Sequence, residues 1–111
     1  MKTEWKLLVV NKAASQEIFD MSADVKAKFL HISELMIKLG PINMGMPHIK
    51  HLEDKLWEIR VSGKTTIARS IYCLVHNKKI VILHSFIKKT QRTPKKAIEV
   101  AKQRMKEVNL L

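Results

Sequence analysis

From Leu56 to Phe86 the chain carries three runs of strand-forming residues joined by connections of only three or four residues. Leu56–Val61, Thr65–Val75 and Ile80–Phe86 are rich in Ile, Val, Leu and aromatic side chains, which suit a pleated, half-buried surface. Ser62-Gly63-Lys64 and His76-Asn77-Lys78-Lys79 join them. A parallel crossover needs a dozen or more residues, so these links permit only an antiparallel meander. The length of the middle run allows for a bulge.

The flanks read differently. Trp5–Val10 is a further short strand, and Asn11 offers a side-chain cap to a helix over Lys12–Phe19. Ser22 offers a second cap, followed by Val25, Phe29, Ile32, Met36 and Leu39 at helical spacing until Gly40-Pro41 stops the pattern. Pro41 to Glu53 reads as an ordered connector. Thr93-Pro94 supplies a threonine cap and a proline start for a last helix with Ile98, Ala101, Met105 and Val108 on one side. The predicted order is βααβββα: an α+β fold in which an N-terminal strand and two helices pack on a mainly antiparallel sheet, followed by a C-terminal helix. The helices should cover one sheet face and leave the other open to a ligand. At 111 residues, one domain spanning 1–111 is expected.

Charge divides this domain unevenly. Residues 1–63 hold nine basic and eight acidic side chains, whereas residues 64–111 hold twelve basic and two acidic ones. Lys88, Lys89, Arg92, Lys95 and Lys96 crowd a stretch with no acid between 87 and 96. Such clustering fits the footprint of a polyanion partner, because phosphate contacts release counterions, better than it fits a solvated surface that only prevents aggregation. The lone Cys73 forms no internal disulfide, which fits a reducing compartment. No apolar stretch reaches the roughly 18 residues that mark a membrane span, so a cytoplasmic protein without membrane contact is expected. Ser62-Gly63-Lys64-Thr65 lacks the remainder of a phosphate-binding loop and is read as a turn.

Alternation along the strands selects candidate site residues. Arg60 shares a face with Glu58, opposite Trp57, Ile59 and Val61, and Arg69 falls among Ile67, Ile71 and Val75 with Tyr72 on the other side. Ile80, Ile82, His84 and Phe86 are predicted on one face, with Lys88 continuing it. Arginine grips phosphate with two donors, and lysine neutralises developing negative charge. RNA brings its own nucleophile, the 2′-OH, if a group accepts the proton. His84 titrates in a suitable range, and is equally suited to a hydrogen-bonded structural role.

Leu52-Glu53-Asp54-Lys55-Leu56-Trp57-Glu58-Ile59-Arg60, Arg69-Ser70-Ile71-Tyr72 and Leu83-His84-Ser85-Phe86-Ile87-Lys88-Lys89-Thr90-Gln91-Arg92-Thr93-Pro94 together resemble the HigB-like, phage-derived branch of the RelE/ParE toxin superfamily. The resemblance extends over nearly the whole chain. It implies the toxin of a type II toxin–antitoxin pair, a ribosome-dependent endoribonuclease that cleaves translated mRNA in the decoding site by 2′-OH attack and inhibits translation. On that resemblance Arg60, Arg69, Lys88 and Lys89 are candidate catalytic residues, and His84 joins them on its titration range, not on the resemblance. Phe86, Arg92, Lys95 and Lys96 form the RNA-binding set. No cofactor and no metal are expected, and the implied partner besides mRNA is a cognate helix-turn-helix antitoxin. A non-catalytic nucleic-acid-binding regulator and a ParE-like gyrase inhibitor are the alternatives.

Overall fold

The computed structural model describes residues 4–41, 49–88 and 92–110. The chain runs through β1 (Lys6–Val9), α1 (Lys12–Phe19), α2 (Ala23–Leu39), β2 (Ile49–Glu53), β3 (Leu56–Ser62), β4 (Ile67–Val75), β5 (Lys79–Ile87) and α3 (Lys95–Glu107). The strands form one sheet in the order β1-β5-β4-β3-β2. The meander β3-β4-β5 is antiparallel as the short links require, and β1 joins the outer side of β5 in parallel.

Two features of this sheet differ from the expected one. Ile49–Glu53 is a strand rather than part of a connector, paired antiparallel to β3 through a tight turn in which Asp54 adopts φ 48°. Only Ile49 of its five residues is buried, so β2 lacks the apolar alternation that would mark it. The bulge also lies elsewhere: Ile71 faces His84 and Tyr72 faces Ile82, leaving Leu83 of β5 as the extra residue. A bulge places two successive residues against one and resets the alternation beyond it. Ile80 and Ile82 therefore belong to one core, whereas Phe86 packs with the other. The expected single face for Ile80, Ile82, His84 and Phe86 does not form.

Both sheet faces are used. Val25, Ile32 and Met36 of α2 pack with Ile59, Val61, Tyr72, Ile80 and Ile82, and Ile18 of α1 joins their margin. On the opposite face Ala97, Ala101 and Met105 of α3 pack with Leu56, Ile71, Cys73, Val81 and Leu83. The expectation of one fully open face is thus corrected, because α3 crosses to the second side and covers β4 and β5. The end of that face near β2 and β3 is left for the site.

The caps divide in the same way. Asn11 accepts the Ala14 N–H at 2.8 Å, as its position predicts. Ser22 occupies the cap position of α2, yet its hydroxyl donates to Asp24 instead. Pro94, not Thr93, is the residue flanking α3, and the Thr93 side chain is spent inside the protein. Among the described residues, no helix is long and apolar enough to cross a membrane.

Candidate functional site

The register builds a two-row platform on the α3 side of the sheet. Arg60 lies opposite Arg69, and Arg69 opposite Phe86, which makes one row. Lys50, Glu58, Ile71 and His84 form the next. Lys88 extends β5 past its last paired residue, its N–H bonding the Ile67 carbonyl at 2.6 Å. Four cationic residues, three on strands β2, β3 and β4 and one just past β5, thus converge around one carboxylate. The strands' own order makes this juxtaposition, and Lys50 enters it only because β2 exists.

Glu58 and Arg69 are both buried, at 3% and 1% exposure. Arg69 Nη1 donates to Thr93 Oγ1 at 2.8 Å and reaches Glu58 Oε2 at 3.4 Å, while the Thr93 hydroxyl donates to that same oxygen at 2.6 Å. A buried charge is tolerated when it is paired and hydrogen-bonded, and this triad meets that condition. It also ties β3, β4 and the segment entering α3 to one point. Arg69 therefore stands beneath the surface, and its charge reaches a bound anion as a field from below. Arg60 is only partly buried.

The charges of the platform bear on Lys88. Loss of surrounding solvent, then the charges of Arg69 and Arg60, and finally Lys50 hold its ammonium below the ordinary lysine value, against the pull of Glu58. Such a lysine releases its proton more readily than a solvated one.

Beside the platform a cleft of about 450 Å³ opens between β2 and the start of α3. Lys50, Arg92, Lys95 and Lys102 outnumber Glu53 and Glu99 in its lining, and Leu52 and Ile98 supply apolar wall. Arg92 and Lys95 thus meet the platform. Lys96 is exposed and does not line the cleft. Lys89 lies outside the described residues.

His84 is held by a second network. Glu17 of α1 accepts from the Ser85 N–H at 3.0 Å and stands 3.0 Å from His84 Nδ1. Arg104 of α3 grips both Glu17 oxygens at 3.0 and 2.9 Å and donates to the Leu83 carbonyl at 2.9 Å. The bulge frees the Leu83 and Ser85 backbone groups, and the Glu17–Arg104 pair satisfies them. The imidazole stacks on Phe86 with ring centroids 5.3 Å apart. His84 accordingly supports Phe86 and joins α1, β5 and α3.

Lys50, Glu58 and Thr93 were not singled out by sequence reasoning. Glu58 had one legible signal, an acid alternating with Arg60 on a strand. Thr93 carried a misleading one, since its position before Pro94 reads as a cap.

The arrangement can seat a phosphodiester: Arg60 and Lys88 at the surface, Arg69 beneath, and Arg92 and Lys95 along the approach. Comparison with known proteins adds a relation. The archaeal RelE–RelB complex from Pyrococcus horikoshii OT3 contains a chain similar in fold, with a TM-score of 0.58 and 19% identity over 81% of this chain and 99% of that one. No curated protein matches the sequence. The family model described as phage derived protein Gp49-like (DUF891) matches residues 16–106, which include every strand of the platform and most of α3. The chain therefore belongs to the phage-derived Gp49-like family.

Proposed function

We propose that this protein is the toxin of a type II toxin–antitoxin pair of the HigB-like kind, and that it cleaves translated mRNA in the ribosomal decoding site. The observation that carries the reading is the convergence of Lys50, Arg60 and Arg69 on three strands with Lys88 just past β5, beside a cleft whose lining includes Arg92 and Lys95. The RelE-like fold and the Gp49-like family support it. In this reading the RNA 2′-OH attacks the adjacent phosphorus as its proton passes to solvent water, and the bond from phosphorus to the 5′ oxygen breaks. The products are a 2′,3′-cyclic phosphate and a free 5′-OH. Arg60 and Arg69 stabilise charge gathering on the phosphate oxygens, a role worth several powers of ten when preorganised away from water. Lys88, holding its proton loosely, suits protonation of the departing 5′ oxygen. Phe86, backed by His84, offers a ring for a splayed base.

The partner in this reading is a cognate helix-turn-helix antitoxin that covers the cationic face in the cytoplasm. The archaeal neighbour comes from a RelE–RelB complex, which supports a pairing of this kind.

The test is toxin added to ribosomes translating a defined mRNA, with both new ends mapped. Cyclic phosphate and 5′-OH ends are expected from the wild type, and Arg60→Ala and Lys88→Ala should each lower the rate by about 10²–10³-fold while remaining folded. Intact mRNA in an actively translating reaction would refute the assignment. Salt-sensitive RNA binding with unchanged ends would indicate the binding regulator instead, and loss of DNA supercoiling activity would indicate a gyrase inhibitor.

A further inference from the structure

Burial of Glu58 is costly on desolvation grounds alone. A carboxylate at 3% exposure pays a large desolvation penalty, and buried ion pairs can often be replaced by apolar residues without loss of stability. Apolar neighbours are at hand, since Ile71 flanks it on β4 and Leu56 precedes it on the same strand face. What a hydrocarbon in its place would lack is a fixed negative charge among cations and an acceptor for Thr93.

Both properties point at the cationic platform. Lys50 stands across from Glu58 on β2, Arg60 follows it on β3, and Arg69 reaches it from β4. Without a counter-charge these groups repel one another and Lys88 at the end of β5. The second connection is mechanical. Thr93 immediately follows Arg92 and precedes α3 by one residue, and its hydroxyl is fastened to Glu58 at 2.6 Å. Together with the bond that Thr93 accepts from Arg69 at 2.8 Å, this contact fixes to the sheet the residue that lies between Arg92 and α3.

We propose that Glu58 is a positioning residue: through Thr93 it seats the entry to α3 over the sheet, and as counter-charge to Lys50, Arg60 and Arg69 it sets how these groups and Lys88 meet a phosphate. The proposal rests on the RNA-cleaving reading for its consequence in catalysis, but its electrostatic part is measurable without RNA.

Glu58→Gln keeps the shape and an acceptor for Thr93 while removing the charge. Of the groups facing Lys88, Arg69, Arg60 and Lys50 favour its neutral form and Glu58 opposes them, and Arg92 and Lys95 stand with Lys50 in the lining of the neighbouring cleft. Removing Glu58's charge must therefore make Lys88 release its proton at lower pH. Titration of the Lys88 side chain by carbon-13 NMR in folded wild type and Glu58→Gln should show this shift. The limb of the cleavage pH–rate profile governed by Lys88 should move in the same direction. A Glu58 that served only as packing would scale the rate equally at all pH values, and an unchanged Lys88 titration in folded Glu58→Gln overturns the proposal.

Thr93 gives an independent arm, needed if Glu58→Gln fails to fold. Thr93→Val should lower kcat by about 10- to 100-fold with KM nearly unchanged, because misplacement of the reacting groups acts on the transition state. Thr93→Ser should restore it. Equal rates in Thr93→Val and wild type overturn the seating role. If wild type leaves translated mRNA intact while the Lys88 shift is present, the RNA reading falls and the counter-charge role of Glu58 stands.

Discussion

Replacing Glu17 with glutamine tests whether the bulge network is a structural clamp. Glu17 accepts four hydrogen bonds, from Ser85 N–H, from His84 in its Nδ1-protonated form and from two Arg104 nitrogens. Glutamine retains one oxygen for Ser85 but turns an amide NH₂ toward Arg104, so one charge-assisted bond is lost, worth about 1.5–3 kcal/mol. Exposed ion pairs contribute much less, but here the side chains are only 24% and 15% exposed. The expected loss is therefore about 2 kcal/mol, or a fall in Tm of about 8 °C for a domain of this size. Burial pushes the Glu17 carboxyl upward, and the bonds from Arg104 and Ser85 with the charge of His84 overcome that and hold it below its ordinary value of 4.5. The unfolded chain thus takes up the proton first on acidification. Stability from Glu17 is complete above about pH 5 and disappears as pH falls through the folded-state value. Urea melts of both proteins across pH 4–8 should show a constant gap near neutrality that narrows in acid, with unchanged m-values. A gap under about 0.5 kcal/mol at pH 7, or one that widens on acidification, would refute the clamp.

Three other expectations follow from particular residues. Neutralising Arg92 or Lys95 should weaken RNA binding for all sequences and flatten the log–log salt dependence by about 0.7 per lost phosphate contact; an unchanged slope would remove that residue from the interface. Cys73 is fully buried, and burial pushes its thiol up to about 11 against a small opposing effect of Lys55. It should resist a thiol reagent at pH 8 in the native protein and react on unfolding, and rapid native labelling would contradict its placement. Gly40 sits at φ 83° and ψ 146°, where an added Cβ would lie 2.8 Å from Trp5 Nε1. Gly40→Ala should cost about 1–3 kcal/mol by thermal denaturation, and a neutral effect would show that this backbone is not constrained.

Local chemistry made much of this protein readable in advance. Short links dictated the antiparallel β3-β4-β5 meander, helical spacing exposed the Val25–Met36 stripe, and Asn11 announced its own cap. Alternation before the bulge put Arg60 with Glu58 and Arg69 away from Tyr72. The failures have a common physical cause, which is that partners distant in sequence decided the outcome. Strand β2 is held by its ladder to β3 rather than by apolar alternation, so Lys50 escaped notice. The extra residue Leu83 shifted the alternation of β5, and nothing in that strand's composition marks it. Thr93 carries a cap signature, but Glu58, remote along the chain, offers its hydroxyl a buried acceptor. His84 likewise meets Glu17 and Arg104 only after α1 and α3 have docked on opposite sides of β5.

The parallel pairing of β1 with β5 has a consequence for the order of assembly. Lys6 lies opposite Lys79, and Val9 opposite Ile82, so the first strand has no ladder partner until the last strand exists. Closing so long a loop is entropically slow compared with forming the local meander. On a ribosome making this chain from its N-terminus, β1 and the two helices after it wait through the synthesis of β2, β3 and β4. Arg60 and Arg69 emerge before Lys88, and Thr93 follows them all. A nascent fragment therefore holds pieces of the cationic platform without its closing segment, and the complete platform appears only as synthesis approaches α3. Such late completion separates the making of the protein from the use of its site.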